Sequence, residues 1–250
     1  MLSTSCIPHK DTVYLQDKGT AVDSMLLKET QQPYRVQVND ILNIRVKALD
    51  QETVEILNPI GDGNLSANGE ERAFFDGFTV DIHGNIRIPT LGTMNVLGYT
   101  TEEIQKMVEK KLLEEQFKET ANIFVTVKLT GLRYTANGEV ANPGTKVLYQ
   151  ERVNIIEAIA NVGEITATGN KKDVLLIRQY PQGQQIHHLD LTDVAVMNSP
   201  YYYIQPNDII YVKPTKQKSL GLGGTAGENL TLIVTLVSLI STSVLLIDRL

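Results

Sequence analysis

A chain of 250 residues, 42% hydrophobic and without Trp, has the apolar material for one or two folded domains plus appendages. Its net charge of −6 argues against a nucleic-acid partner, which needs a basic surface to neutralise phosphates. A single cysteine rules out an intramolecular disulfide.

That cysteine, Cys6, follows the small-residue run Leu2-Ser3-Thr4-Ser5, which resembles the end of a bacterial lipoprotein signal just before its lipidated cysteine. The large apolar residue preferred three places before the cysteine is Ser3 here. Only five residues precede Cys6, so the expectation is a start further upstream or a trimmed leader. The competing reading is a chance cysteine near a frayed terminus. From Ile7 to Gln32 polarity without periodicity reads as a tether with one short ordered turn.

Tyr34, Val36 and Val38 alternate, Asn39-Asp40 breaks the run, and Ile41 to Val46 reads as a strand. Residues 57–72 form a polar loop; Asp62-Gly63-Asn64 lacks the acidic spacing of a calcium loop. Phe78, Val80 and Ile82, then Ile86 and Ile88, predict a hairpin turning at His83-Gly84-Asn85. Thr100 with Glu103 predicts a capping box opening a helix with Ile104, Met107, Val108 and Leu112 on one side. Alternation of Ile123, Val125, Val127 and Leu129 gives another strand, closing a first α+β unit at residues 34–130.

A second unit follows. Tyr134 to Val140 and Val147 to Tyr149 read as paired strands around Asn142-Pro143-Gly144. Asn154 with Glu157 caps a short helix carrying Ile155, Ile156, Ile159 and Val162, stopped at Gly163. Strands at Val174 to Arg178 and Gln185 to Leu191 flank Pro181-Gln182-Gly183, and the unit ends at Tyr202 to Val212. That end repeats the beginning: residues 34–44 align without gaps on residues 202–212, sharing Tyr, Gln, Asn, Asp and Ile. The physical reading is a tight Asn-Asp turn feeding a core strand, used twice.

The last apolar run, Leu230 to Ile247, holds eighteen residues without a charge, about 27 Å of helix and enough for a thin bilayer. Thr231, Thr235, Ser238 and Thr242 fall on one face of that helix. Leu232, Ile233, Val237, Ile240 and Val244 lie off the stripe. Lys213, Lys216 and Lys218 are the local basic cluster before it, compatible with lipid headgroups or with simple solubilising charge. Gly221 to Ala226 matches a dinucleotide fingerprint only formally, since no βαβ unit surrounds it. His187 and His188, adjacent in a strand, point to opposite faces and do not chelate one metal. Asp81 with His83, and His188 with Asp190, share a face and read as surface decoration. No catalytic, metal or cofactor site is expected, and no enzyme.

Three stretches carry a family resemblance. The first is Tyr34-x-Val-x-x-x-Asp40 leading into Phe78-Thr-Val-Asp-Ile-His-Gly84-Asn-Ile-x-Ile-Pro89-x-Leu-Gly92 and Gly98-x-Thr100-x-x-Glu103. The second is Gly138-x-Val140-x-x-Pro143-Gly144, Glu157-Ala-Ile-Ala160-x-x-Gly163, Val174-x-x-Ile177-Arg178 and Pro206-x-Asp208-x-Ile210-x-Val212. The third is the C-terminal run. Together they resemble the Wza-type outer-membrane polysaccharide export proteins, with Glu164 standing where a second glycine is usual. The resemblance implies an α+β fold: an N-terminal lipid-anchor tether (1–33), a polysaccharide export domain (34–130) and one SLBB β-grasp domain (131–214). A Gly-rich linker (215–228) and a single transmembrane helix (229–248) complete it.

It also implies a homo-oligomeric ring, an octamer in the family, exporting capsular or extracellular polysaccharide and contacting an inner-membrane polysaccharide co-polymerase. The chain is then anchored in outer-membrane lipid of a Gram-negative bacterium through Cys6, with its body in the periplasm and Thr231, Thr235, Ser238 and Thr242 lining the pore. The alternative is a membrane-tethered sugar-binding module, monomeric or dimeric, that forms no pore.

Overall fold

The structure, a computed structural model, describes residues 8–19, 33–48, 58, 76–117, 122–180, 182–219, 234–235 and 237–243. In β1 (Ile41–Ala48) the period-two spacing buries Leu42, Ile44 and Val46 on one face. β1 pairs antiparallel with the short β2 (Phe78–Thr79) on one edge. On its other edge it meets β5 (Ile123–Leu129), from Leu42 opposite Leu129 to Ala48 opposite Ile123. A hairpin of β3 (Asn85–Ile88) and β4 (Gly92–Asn95) adds Ile86, Ile88 and Met94 to the same core.

α1 (Thr101–Glu115) closes this core with Ile104, Val108 and Leu112, four residues apart and fully buried. Burying each such side chain contributes about 1.5–3 kcal/mol. The expected capping box is present. The Thr100 N–H donates to Glu103 Oε2 at 2.8 Å, and the Glu103 N–H donates to Thr100 Oγ1 at 3.2 Å.

The expected hairpin across His83-Gly84-Asn85 needs correction. β3 pairs with β4, not β2, and the chain between β2 and β3 is a turn organised by Asp81. The Asp81 carboxylate accepts the N–H groups of His83 and Asn85, both at 2.8 Å, and is held below the usual carboxylate range first by the Asn85 bond. Asp81 and His83 are thus joined through backbone, and Ile82 is 79% exposed, not turned inward by the alternation.

The second core lies under a five-stranded sheet of order β7-β6-β10-β8-β9. β6 (Leu132–Gly138) and β7 (Gly144–Leu148) form one hairpin, β8 (Gly169–Tyr180) and β9 (Gly183–Leu189) another. β10 (Ile209–Pro214) runs between them, parallel to β6 and antiparallel to β8. α2 (Ile155–Asn161) crosses one face, its expected Asn154–Glu157 capping box formed, with Ile155, Ala158 and Ile159 buried. The buried Tyr134 hydroxyl donates to the Ala158 carbonyl at 2.6 Å, and burial pushes its pKa up to about 12. At the end of β6, Gly138 takes a φ of 86°, and a Cβ there runs into the Val212 carbonyl oxygen. Only glycine lets β6 and β10 approach so closely.

Candidate functional site

The two copies of the repeated stretch build the same turn and meet each other. Asn39 and Asn207 hold left-handed φ values of 70° and 66°, a conformation Asn tolerates better than most residues. The Asp40 N–H donates to the Gln37 carbonyl at 3.2 Å, and the Asp208 N–H donates to that of Gln205 at 3.2 Å. Each carboxylate accepts the Gln N–H in return, at 2.8 Å in Asp40 and 2.7 Å in Asp208. A core strand starts directly after each turn, β1 at Ile41 and β10 at Ile209, as the repeat predicts.

The two copies differ in what completes each buried carboxylate. Asp208 is held bidentately by Arg178, at 3.0 Å from Nε and 2.7 Å from a terminal nitrogen, which also donates to the Tyr203 carbonyl. Asp40 accepts from the Tyr34 hydroxyl at 2.7 Å and from Asn207 Nδ2 at 3.3 Å. Burial raises the pKa of Asp40 and of Asp208, Arg178 opposing the rise in the latter. The Asn207–Asp40 bond therefore joins the two units, and Lys128 pairing with Glu151 at 2.9 Å is a second link.

The N-terminal segment is docked. After a 3₁₀ turn at His9–Asp11, which is the one short ordered turn expected, residues 12–19 lie along the second unit. Leu15 N–H donates to the Leu191 carbonyl at 3.1 Å and Gln16 N–H to that of Thr192 at 2.9 Å. Tyr14 and Leu15 pack against the second core. Lys172 pairs with Asp11 at 2.5 Å and Lys18 with Asp190 at 2.7 Å. The Tyr14 hydroxyl donates to Glu164 at 3.0 Å, and burial followed by the Glu164 charge raises its pKa. Glu164 holds a left-handed φ of 75°, a conformation that glycine adopts more readily.

Residues 28–130 match the family model for polysaccharide biosynthesis/export proteins, and residues 133–212 match that of the SLBB domain, in the order the motifs imply. The chain thus carries, in order, an export-domain match and an SLBB-domain match of the polysaccharide export family. This is a family of export proteins, not of enzymes. Two curated relatives both carry the name EPS I polysaccharide export outer membrane protein EpsA. The Ralstonia solanacearum protein is 25% identical over 218 residues, 81% of this chain and 53% of that protein. The Ralstonia nicotianae protein is 26% identical over 175 residues, 66% of this chain and 43% of that protein. The chain spans about half the length of the curated relatives it matches.

The expected anchor and pore residues fall unevenly. Cys6 and Thr231 lie outside the described residues, as do Asp62 to Asn64 and Gly221 to Ala226. Residues 237–243 are helical, with Ser238 and Thr242 exposed, and Thr235 is helical and exposed just before them. Among the described residues no helix is long and apolar enough to cross a membrane. The hydroxyls are turned onto their own helix: Ser238 donates to the Thr235 carbonyl at 2.8 Å and Thr242 to that of Ser238 at 2.8 Å. Their donors are thereby occupied, and oxygen lone pairs and methyl groups remain to face outward. Ser241 and Ser243, outside the stripe read from sequence, do the same at 3.0 and 2.8 Å.

The remaining expectations concern charge and histidine. Lys213 pairs with Asp173 at 2.5 Å and Lys218 with Glu139 at 2.6 Å, so both of these charges are engaged within the chain. His187 and His188 do face opposite sides of β9. His187 stacks on Tyr201 with centroids 3.6 Å apart, and His188 meets Asp173 at 2.5 Å rather than Asp190.

Proposed function

We propose that the chain is a subunit of an outer-membrane channel that exports capsular or extracellular polysaccharide. The observation that carries this is the ordered pair of domain matches, export domain then SLBB domain, together with the export function in the names of both curated relatives. The proposed division is an export domain at 34–130, a β-grasp domain at 131–214, a linker at 215–228 and a membrane helix at 229–248. Cys6 carries a lipid in the outer membrane of a Gram-negative bacterium, and the two folded domains stand in the periplasm. The tether of 1–33 is shortened in effect, because residues 12–19 are held on the β-grasp domain.

In this reading several copies, eight by the family resemblance, close a ring whose C-terminal helices cross the membrane. Thr231, Thr235, Ser238 and Thr242 line its lumen. Back-bonded hydroxyls suit a lumen wall, since each offers a sugar hydroxyl a weak acceptor on the order of 1 kcal/mol, enough to wet the wall without trapping polymer. Transport is passive through the pore, with polymerisation and energy supplied by an inner-membrane co-polymerase in contact with the periplasmic body. Mass measurement of the detergent-solubilised protein tests the reading. A large closed ring is the expected result, and a monomer or dimer would overturn the channel in favour of a tethered module.

A further inference from the structure

The sheet of the first unit has one covered face and one open face. α1 and the β3–β4 hairpin share a core with the side of β1 and β5 that carries Leu42, Ile44, Val125 and Val127. On the other side the register of β1 against β5 sets three rungs. Asn43 stands opposite Lys128, Arg45 opposite Thr126, and Lys47 opposite Phe124. Each rung carries one cation and one neutral partner. Successive rungs are about 7 Å apart along the strands and about 4.8 Å across, so three positive charges line one flat strip.

Arg45, Lys47, Phe124 and Lys128 are exposed, and Phe124 keeps 60% of its surface in solvent. Among the described residues neither Arg45 nor Lys47 makes an ion pair. Lys128 pairs with Glu151, but both side chains are exposed, so an incoming anion displaces that pair at little cost. No rung residue is acidic, although the whole chain has a net charge of −6. An exposed phenyl ring among cations gains nothing from water, but it gains from a sugar. Its negative face meets the weakly positive C–H bonds of a pyranose ring. Arg45 and Lys47 then reach acid groups, while Asn43 and Thr126 bond hydroxyls.

We infer that this open face of β1 and β5 binds an acidic polysaccharide laid along the strands. The inference rests on the export of polysaccharide proposed above and narrows it to polymers that carry acid groups at regular intervals. Exposed, salt-screened contacts hold such a polymer weakly at each rung, so it can move along the strip. A nucleic acid is a poor occupant, because three cations neutralise few phosphates and the remaining charge of the chain repels them. A phospholipid headgroup layer offers the anions without a ring to stack on Phe124.

The test is calorimetric binding of short oligogalacturonates to the full detergent-solubilised chain, with their methyl esters as uncharged counterparts. The acid form should bind, and the ester should bind about tenfold more weakly. Arg45→Gln combined with Lys47→Gln should weaken acid binding about tenfold, the effect of two exposed charge contacts. Phe124→Ala should weaken it about threefold through the lost stacking. Lys106→Gln combined with Lys110→Gln, at two exposed cations of α1, should leave it unchanged. Absence of binding, equal binding of acid and ester, or acid binding that survives the Arg45 and Lys47 substitutions overturns the inference. So does a face that holds phosphatidylglycerol vesicles through Arg45 and Lys47 but no oligogalacturonate. The readout needs no ring. A monomer that selects the acid contradicts the channel and leaves this inference standing, and a ring that does not select does the reverse.

Discussion

The Tyr14 hydroxyl donates to Glu164 at 3.0 Å across 150 residues of sequence, and Glu164 holds a left-handed φ of 75°. Strain and clasp oppose each other there. A left-handed backbone costs a non-glycine residue about 1–2 kcal/mol, and the hydrogen bond returns about 1 kcal/mol. Glu164→Gly should therefore leave global stability within about 1 kcal/mol of wild type, whereas Tyr14→Phe should lower it by about 1 kcal/mol. Both should speed proteolysis within residues 8–19. A Glu164→Gly protein cleaved there no faster than wild type would show that the clasp does not hold the segment.

The joint separates backbone from side-chain effects at one residue. Asn207→Gly keeps the turn and loses only the bond to Asp40, a cost of about 1 kcal/mol. Asn207→Ala loses the same bond and also strains the φ of 66°, adding about 1–2 kcal/mol. Urea midpoints should rank wild type, then Gly, then Ala; equal midpoints for the two variants would contradict the strain argument.

Arg178 is the only cation bonded to the buried Asp208 carboxylate among the described residues. Arg178→Met leaves that charge buried and should destabilise the protein by about 3–5 kcal/mol. Adding Asp208→Asn to it should recover part of the loss. No recovery in the double variant would mean that Arg178 stabilises through packing instead.

Asp40 sets a pH dependence of definite sign. Burial raises its folded pKa above the unfolded value, so its contribution to stability is full below the unfolded pKa and is lost as pH rises through the folded one. Asp173, lowered first by its bond from Lys213, acts in the opposite direction and loses its contribution as pH falls. Asp40→Asn should remove the falling component from a stability profile taken upward from pH about 4. An unchanged profile would show that Asp40 does not titrate differently on folding.

The hydroxyl stripe predicts a reactivity pattern. In a Cys6→Ser background with another anchor supplied, cysteines at Thr231, Thr235, Ser238 and Thr242 should react with membrane-impermeant thiol reagents. Cysteines at Leu232, Ile233, Ile240 and Val244 should stay protected. Protection along the whole stripe in an assembled ring would rule out its place in the lumen.

Local signals in the sequence carry far. Both capping boxes, the alternation in β1 and β5, and the repeated Asn-Asp turn are short-range patterns whose physics does not depend on distant partners. What the sequence hides is long-range. Tyr14 and Leu15 belong to a three-residue apolar run, Val13 to Leu15, too short to show a period, and their partners at Glu164 and Leu191 come close only after the second unit folds. The Arg178–Asp208 pair spans 30 residues and two strands. The hairpin expected at residues 78–88 rests on an alternation that runs on through Ile82, whereas Asp81 bends the backbone before that residue. Ser241 and Ser243 fall outside a helical face drawn narrowly around the stripe, although they bond in the same way.

The central claim, export of polysaccharide through this chain, is tested most directly by surface polysaccharide on cells that lack it. Those cells should hold polymer in the periplasm and show little at the surface. Wild-type chain should restore surface polymer, while a variant with Leu at Thr231, Thr235, Ser238 and Thr242 should not. Undiminished surface polysaccharide in cells without the chain would contradict the account.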